Sequence, residues 1–488
     1  MPPPWELVIA VDRAAPLPPF LQIARSLTAD IHRGRLRPGD RLPGSRRLAA
    51  SLRVHRNTVL AALAELVAEG WLETTPGRGT FVARSIVHPA GRPFSRRRGA
   101  PKHVSALPFP LPPTPAPFRP PSLPTGTLNL SNGAPDVRLL PTRAIGRAYR
   151  RVLALRGPDL LAYGDPEGHP ALRTALASML ANTRGLSVAA DDVLVTRGSQ
   201  MALTLVARTL LRPGDVVAVE QFGYRPSWEA FRAAGATVIP VPIDGDGIDV
   251  EALSRLASRT TLRALCVTPH HQYPTTVTLK AARRLALLAL ARARHIAIIE
   301  DDYDHEFHYD GRPVLPLAST DEPGLVVYIG TLSKALAPGL RIGYVVAPPA
   351  VLRSASAIRS LLDIQGDLAT EAAVATLIED GELQRHIARV RRVYATRREI
   401  LARSLRRTFG DRVDFTLAPG GMALWVHLRI SVDVESWARR SVQFGVSWYT
   451  GRRYAFDGHP QPFARFSFAW LNEHELPEAV RRMAAALP

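Results

Sequence analysis

Tyr328-Ile-Gly-Thr-Leu-Ser-Lys-Ala-Leu-Ala-Pro-Gly-Leu-Arg-Ile-Gly-Tyr344 is the stretch on which the reading of this chain turns. It sets one amine, Lys334, among the hydroxyls of Thr331 and Ser333, several glycines and the planar fork of Arg341. An amine condenses with an aldehyde, whereas hydroxyls and a guanidinium suit a phosphate. Upstream, an apolar strand pattern ends in Ile296-Ala-Ile-Ile-Glu-Asp-Asp-Tyr303, which delivers acidic side chains where the apolar run stops.

Pyridoxal phosphate needs both stretches. Lys334 would form a Schiff base with its aldehyde, and Thr331, Ser333 and Arg341 would hold its phosphate. A carboxylate opposite the pyridine nitrogen keeps that nitrogen protonated, which stabilises a carbanion beside the imine. Asp301 is assigned that role. Tyr303, two residues on and on the same strand face, reaches toward the phenolic oxygen. Alone, a Ser-Lys pair is uninformative, and Asp301-Asp-Tyr-Asp-His-Glu-Phe-His308 reads more simply as a polar loop than as a metal site. Taken together and in order, the segments from Leu128 to the C-terminus resemble the fold-type I aminotransferases, an α/β fold. That resemblance demotes the metal reading, and no metal is expected.

Tyr163-Gly-Asp-Pro-Glu-Gly168, followed by Leu172-Arg173, resembles the tyrosine-glycine turn of that family. The resemblance implies that Tyr163 of one subunit touches the cofactor phosphate of the other, hence a dimer. Val193-Leu-Val-Thr-Arg-Gly-Ser-Gln-Met-Ala-Leu203 reads as a strand, a glycine turn and a helix start. The free N–H groups of Ser199 and Gln200 suit a phosphate, and a purely structural turn is the alternative. Val219-Glu-Gln-Phe-Gly-Tyr224 resembles the strand leading to the family's ring-stacking aromatic, which makes Tyr224 the candidate; an ordinary core tyrosine is the alternative.

In Val267-Thr-Pro-His-His-Gln-Tyr-Pro-Thr-Thr276 the resemblance implies polar groups near the phenolic oxygen in a Pro-Thr-Gly setting. Thr276 stands where that glycine is expected, which leaves the roles of His271 and Gln272 open. Phe463-Ala-Arg-Phe-Ser-Phe-Ala469 alternates as a strand does and resembles the segment whose arginine grips the substrate carboxylate. Arg465 is the match, with a bidentate fork as the physical reason. In so arginine-rich a chain, an arginine with no such role is the alternative.

Residues 17–83 carry a different pattern. Phe20, Ile23, Ala24, Leu27 and Ile31 form one apolar helix face, and Ser45-Arg-Arg-Leu-Ala49 and Val54-His-Arg-Asn-Thr-Val59 open two further helices. Ser45 is expected to cap the first of these, His55 or its neighbours to open the second, and Gly70 to stop it. Leu48, Ala49, Leu52, Val59 and Leu63 are the expected core. Trp71-Leu-Glu-Thr-Thr and Gly79-Thr-Phe-Val-Ala flank Pro76-Gly-Arg-Gly79 as two short strands around a tight turn. This layout resembles the GntR-type winged helix-turn-helix. Arg53 occupies a turn position often held by glycine, where a left-handed conformation costs about 1 kcal/mol. Double-stranded DNA is the implied partner: Arg46, Arg47, Arg56, Asn57 and Thr58 begin helices that reach phosphates and major-groove edges, and Arg78 on the wing suits a minor groove. For each arginine singly, a solvated surface is the alternative.

Residues 84–127 read as a basic and proline-rich linker, with Ser95-Arg-Arg-Arg98 followed by a proline-dense stretch from Pro108 to Pro124. Such a composition favours an extended spacer of roughly 3 Å per residue. The whole chain has 488 residues, is 46% hydrophobic and carries a formal charge of +19. It is therefore expected to hold more than one domain and to meet a polyanion. A single cysteine, Cys266, excludes an intramolecular disulfide and fits a reducing cytoplasm. Neither a secretory signal nor a membrane-spanning run is expected.

A winged helix (17–83), a linker (84–127) and an aminotransferase-like domain (128–488) in this order resemble the MocR/GabR family of bacterial transcription regulators. The resemblance implies a head-to-tail homodimer with pyridoxal phosphate bound covalently at Lys334. The leading expectation is a DNA-binding regulator that senses the cofactor, or a small amino compound reacting with it. A working aminotransferase is the runner-up. A third reading, in which the large domain only dimerises, requires a dead cofactor site, against the set Asp301, Tyr303, Lys334 and Arg341.

Overall fold

The computed structural model describes residues 9, 11–13, 15–86, 122–131, 133–311, 314–321 and 324–487. The expected basic run at 95–98, and the proline-dense stretch up to residue 121, lie outside the described residues. The chain divides into two compact units, Met1–Pro113 and Thr114–Pro488.

In the first unit, helix α1 (Pro19–His32) is followed by α2 (Ser45–Leu52) and α3 (Arg56–Ala68), then by strands β1 (Leu72–Thr75) and β2 (Gly79–Val82). Ile23, Leu27, Ile31, Leu48, Val59, Leu66, Leu72 and Val82 bury together, so each element contributes its apolar stripe to one small core. β1 and β2 pair antiparallel, with Leu72 opposite Val82 and Thr75 opposite Gly79, which makes the wing. Between α2 and α3, Arg53 adopts the left-handed conformation, φ 50° and ψ 42°. His55 caps α3 by accepting from Asn57 N at 3.3 Å. Ser45 does not cap α2: the cap position is Gly44, and the Ser45 hydroxyl instead accepts from Arg56 Nε at 3.3 Å.

The second unit is built on seven strands: β3 (Val193–Thr196), β4 (Val216–Glu220), β5 (Thr237–Val241), β6 (Leu262–Val267), β7 (Ala297–Asp302), β8 (Val326–Thr331) and β9 (Gly343–Val346). Their order in the sheet is β3-β9-β8-β7-β6-β4-β5. β9 alone runs antiparallel to its neighbours; every other pair is parallel. Both faces are covered, which explains why these strands read as nearly continuous apolar runs. Leu194, Val217, Val219, Cys266, Ile299, Val327 and Ile329 pack into one core, and Val193, Val195, Tyr328 and Tyr344 into another. Helix α4 (Ser199–Leu210) springs from the glycine turn after β3.

A smaller lobe follows, with strands β10 (Val413–Asp414), β11 (Ala423–Leu428), β12 (Tyr449–Thr450) and β13 (Phe463–Ser467) in the antiparallel order β10-β11-β13-β12. Helices α5 (Glu382–Phe409) and α6 (Glu475–Ala485) contribute Leu401, Leu405, Leu476, Val480 and Met483 to its core. Among the described residues, no helix is long and apolar enough to cross a membrane.

Candidate functional site

Parallel strands end together, so their C-terminal loops converge on one crevice. Here that crevice is a cavity of about 490 Å³. Ser199 and Gln200 reach it from the start of α4, Asp301 and Tyr303 from the end of β7, and Thr331, Ser333 and Lys334 from the end of β8. Tyr224, Arg341 and Arg465 complete the set expected from sequence. Tyr163 is not among the lining residues; its side chain is 85% exposed.

Asp301 and Arg465 are buried in this cavity, Lys334 is half-buried and Arg341 is exposed. Burial, followed by Arg465, lowers the Lys334 amine to about 8, although Asp304 and Asp301 pull the other way. Lys334 Nζ donates to the carbonyl of Gly133 at 2.8 Å. Burial also pushes Asp301 up, to about 7, with help from Asp302 and Asp304. Asp301 Oδ1 is buried without a hydrogen-bond partner. Its neighbour Asp302 takes the other side of the strand, where it accepts from Tyr328 Oη at 2.6 Å and lies 3.7 Å from Arg184. Burial opposes ionisation there, yet His305, His270 and Arg184 hold Asp302 well below the usual carboxylate range.

At the phosphate-like end, Gly198 has φ 78° and caps α4, leaving the first N–H groups of that helix without intrahelical acceptors. A Cβ on Gly198 would meet the Arg341 guanidinium at 2.7 Å, so only glycine lets the arginine lie across this turn. Arg341 donates to Arg197 O at 2.9 Å, and the Ser333 N–H donates to Thr331 Oγ1 at 3.1 Å. Tyr224 is half-buried, its ring edge-on to Tyr273 at 5.8 Å, and burial raises its hydroxyl to about 12. At the other end, Arg465 on β13 is 2% exposed, lies over the Tyr273 ring at 4.9 Å, and has an unpartnered Nε. No carboxylate pairs with it among the described residues.

His271 and Gln272 do not line the cavity. The Gln272 amide donates to Phe222 O and Tyr273 O at 2.8 and 2.7 Å and accepts from Thr275 Oγ1 at 2.6 Å, which pins the loop. His271 Nδ1 pairs with Asp304 at 2.8 Å, while its carbonyl accepts from the Tyr303 hydroxyl at 3.0 Å. Thr276, standing where glycine is expected, has φ 63°. Sequence reasoning missed Asn129, Tyr273, Tyr449 and Arg453, which also line the cavity. Tyr273 lies within the polar stretch Val267–Thr276, but Asn129 lies in a two-residue strand with no local signal.

In the first unit, Arg46, Arg47, Arg56, Asn57 and Arg78 are exposed and Thr58 is half-buried. All but Arg78 lie in the first turns of α2 and α3; Arg78 lies in the wing turn.

A helix-turn-helix with a wing, ahead of a doubly covered sheet with a lysine-bearing crevice, defines a DNA-binding unit joined to a fold-type I aminotransferase fold. Residues 19–82 match the family model for bacterial regulatory proteins of the gntR family, and residues 125–483 that for aminotransferase class I and II. The chain is 31% identical to the probable rhizopine catabolism regulatory protein MocR of Rhizobium meliloti, over 98% of this chain and 96% of that protein. It is 33% identical to the pyridoxine biosynthesis transcriptional regulator PdxR of Corynebacterium glutamicum, over 86% and 85%. Among solved structures, the α-aminoadipate aminotransferase LysN of Thermus thermophilus, complexed with N-(5'-phosphopyridoxyl)-L-leucine, superposes with a TM-score of 0.70. It is 30% identical and matches 74% of this chain and 92% of that one. The chain belongs to the MocR-type regulators, in which a gntR-family domain binds DNA and an aminotransferase class I and II domain carries pyridoxal phosphate. The cavity fits that group: it offers a buried amine, an orphaned carboxylate oxygen and a helix N-terminus crossed by an arginine.

Proposed function

We propose that this regulator reads pyridoxal phosphate, or a small amino compound that reacts with it, and converts the outcome into a change in DNA binding. The observation that carries this reading is a half-buried lysine of depressed pKa beside an unpartnered carboxylate, in the same chain as a winged helix. Pyridoxal phosphate supplies an electrophilic aldehyde and an electron sink. Lys334 is the covalent attachment point, since an amine near 8 keeps a far larger neutral, nucleophilic fraction near neutral pH than a lysine at its usual 10.5. Asp301 holds a proton at the pyridine nitrogen; a carboxylate raised by burial recovers its charge once that cation arrives. Tyr303 orients the phenolic oxygen, and Tyr224 covers the ring. Ser199, Gln200, Thr331, Ser333 and Arg341 bind the phosphate. Arg465 binds the carboxylate of the amino compound, which accounts for a buried guanidinium that no carboxylate pairs with among the described residues.

The active assembly is a head-to-tail homodimer in the cytoplasm, with Tyr163 reaching the partner's phosphate. Leu155, Leu161, Tyr163, Leu361, Leu362 and Ile364 are all exposed, and the Gln365 side chain joins the 162–164 and 361–365 segments. Such an apolar surface supports a subunit contact. The functional division is 17–83 for DNA, 84–127 as linker and 128–488 for the cofactor. Arg46, Arg47, Arg56, Asn57, Thr58 and Arg78 make the DNA contacts.

A working aminotransferase remains the second reading because the full set of cavity residues is present. One experiment separates the two. Operator affinity is measured with the cofactor bound while amino compounds are titrated, and keto-acid release is followed in parallel. A ligand that shifts affinity with no turnover supports sensing. Turnover with unchanged affinity overturns it.

A further inference from the structure

We propose that His270, His271 and His308 form a binding site for a divalent transition-metal ion of the zinc type. The two histidines at 270–271 follow β6 and His308 follows β7; because those strands are adjacent and parallel, their C-terminal loops bring the three rings together. One ligand nitrogen from each ring lies within 4.8 Å of the others. Ring centroids are 4.4 Å apart for His270 and His271, and 6.1 Å for each of these with His308. Zinc–nitrogen bonds of about 2.0 Å in a tetrahedron require nitrogens roughly 3.3 Å apart, so small ring movements suffice.

A second observation points to a ligand. The three side chains are 1% to 9% exposed, yet both ring nitrogens of His270, Nε2 of His271 and Nδ1 of His308 have no hydrogen-bond partner among the described residues. Buried imidazole nitrogens are seldom left in that state, and a cation satisfies several at once. The pairing of His271 Nδ1 with Asp304 Oδ1 at 2.8 Å is the carboxylate–histidine arrangement that orients a ligating ring and leaves Nε2 free to bind. Gly420 belongs to the same design: a Cβ there would lie 2.3 Å from His271 Nε2 and close the space before it. His305 stacks on His270 at 4.4 Å and also has ring nitrogens without a hydrogen bond among the described residues, but its Nδ1 lies 3.1 Å from Asp302 and its ligand atoms do not converge with those of the other three.

Three imidazoles select Zn²⁺, Co²⁺, Ni²⁺ or Cu²⁺ over Mg²⁺ or Ca²⁺. The site lies beside the cofactor cavity, because the carbonyl of His271 accepts from Tyr303 Oη. Its occupancy therefore fixes the loop that Tyr303 leans on. Of the run 301–308, only His308 contributes a ligand; the other two come from a loop that precedes it by more than thirty residues.

The test uses untagged, full-length protein with its cofactor, loaded with Zn²⁺ and dialysed against metal-free buffer. About one zinc per chain is expected by elemental analysis, with an intense visible spectrum after Co²⁺ exchange and no retention of Mg²⁺. Competition with a chromophoric chelator should show at least a tenfold loss of zinc affinity in His270→Ala and in His308→Gln. His459→Ala, whose side chain is 77% exposed, should bind as the parent does. If His270→Ala fails to fold, His308→Gln decides, since that ring lies nearest the surface. Substoichiometric zinc in the folded parent, Mg²⁺ bound in its place, or parental affinity in folded His308→Gln overturns the site.

Discussion

The proposed DNA-facing surface and the cofactor cavity are both rich in cations, but they handle charge in opposite ways. Arg46, Arg47, Arg56 and Arg78 stand in solvent, where each acts nearly alone and salt screens it. Lys334, Asp301 and Arg465 share one cavity, where Lys334 and Asp301 shift each other and Arg465 lowers Lys334. Losses on the first surface should therefore be graded and salt-dependent. Losses in the second should be large and should divide between binding and stability according to which charge is removed.

The sharpest break is Lys334→Ala. It should abolish borohydride-fixed attachment of pyridoxal phosphate, read as the loss of the labelled peptide by mass spectrometry, while the protein stays folded. Labelling that persists at the same level on another lysine would remove Lys334 from its role. Next comes the pair of neighbouring aspartates. Asp302→Asn removes one of two carboxylates beside buried Arg184, which keeps Glu306, and weakens the acceptor of the Tyr328 hydroxyl, so it should destabilise the cofactor-free protein by about 1–3 kcal/mol, the order for a disturbed buried hydrogen bond to a charged group. Asp301→Asn removes an unpartnered carboxylate, so cofactor-free stability should hold or rise while cofactor affinity falls. Denaturant melts and cofactor titrations on both variants check this. If Asp301→Asn is the one that unfolds, the two sides of β7 have been exchanged.

Much of the cavity was legible because its residues sit at the ends of apolar strands, where the alternation of a strand fixes which side chains share a face. That period puts Tyr303 on the face of Asp301, whereas the choice of Asp301 itself came from the chemistry of the cofactor and the family resemblance. The winged helix was legible from helix and turn signals, apart from one cap: Gly44 rather than Ser45 precedes α2, and the serine hydroxyl serves Arg56. The histidine cluster could not be read. His270 and His308 are far apart in sequence, and only the side-by-side placement of β6 and β7 joins them. Asn129 was hidden for the same reason, since its strand is defined by pairing with Val446–Ser447.

On the DNA side, Arg56→Ala and Arg78→Ala should each weaken operator binding by about 1–3 kcal/mol, with cofactor affinity unchanged. Titrations at several salt concentrations separate a base contact from a phosphate contact, since the latter also lowers the salt slope. Operator affinity unchanged in both variants would remove these positions from the interface. In the cavity, pH is the matching probe. With Lys334 near 8 instead of its usual 10.5, the neutral fraction grows as pH rises through 8 and levels off above it. Cofactor capture by the apo protein should therefore rise about tenfold per unit below that point and then plateau. A rise that continues toward pH 10 would mean that burial does not depress this amine.

The smallest effect concerns backbone strain in the turn at the centre of the helix-turn-helix. Arg53 holds φ 50° and ψ 42° between α2 and α3, a conformation that costs an L-residue about 1–2 kcal/mol. Glycine relieves it but gives up roughly 0.5–1 kcal/mol of chain entropy. The Arg53 N–H donates to Ala50 O at 3.3 Å and its carbonyl accepts from Arg13 at 2.7 Å, contacts that survive in Arg53→Gly. The change is thus confined to conformation and to one exposed cation. Hydrogen exchange of the α2 and α3 amides in the full chain should slow by an amount equal to about 0.5–1 kcal/mol of opening free energy. Operator binding should change only through the lost charge, an effect that fades at high salt. Faster exchange would mean that the Arg53 side chain stabilises the turn by more than its backbone strain costs, and that the arginine is a structural choice at a position where glycine is otherwise favoured.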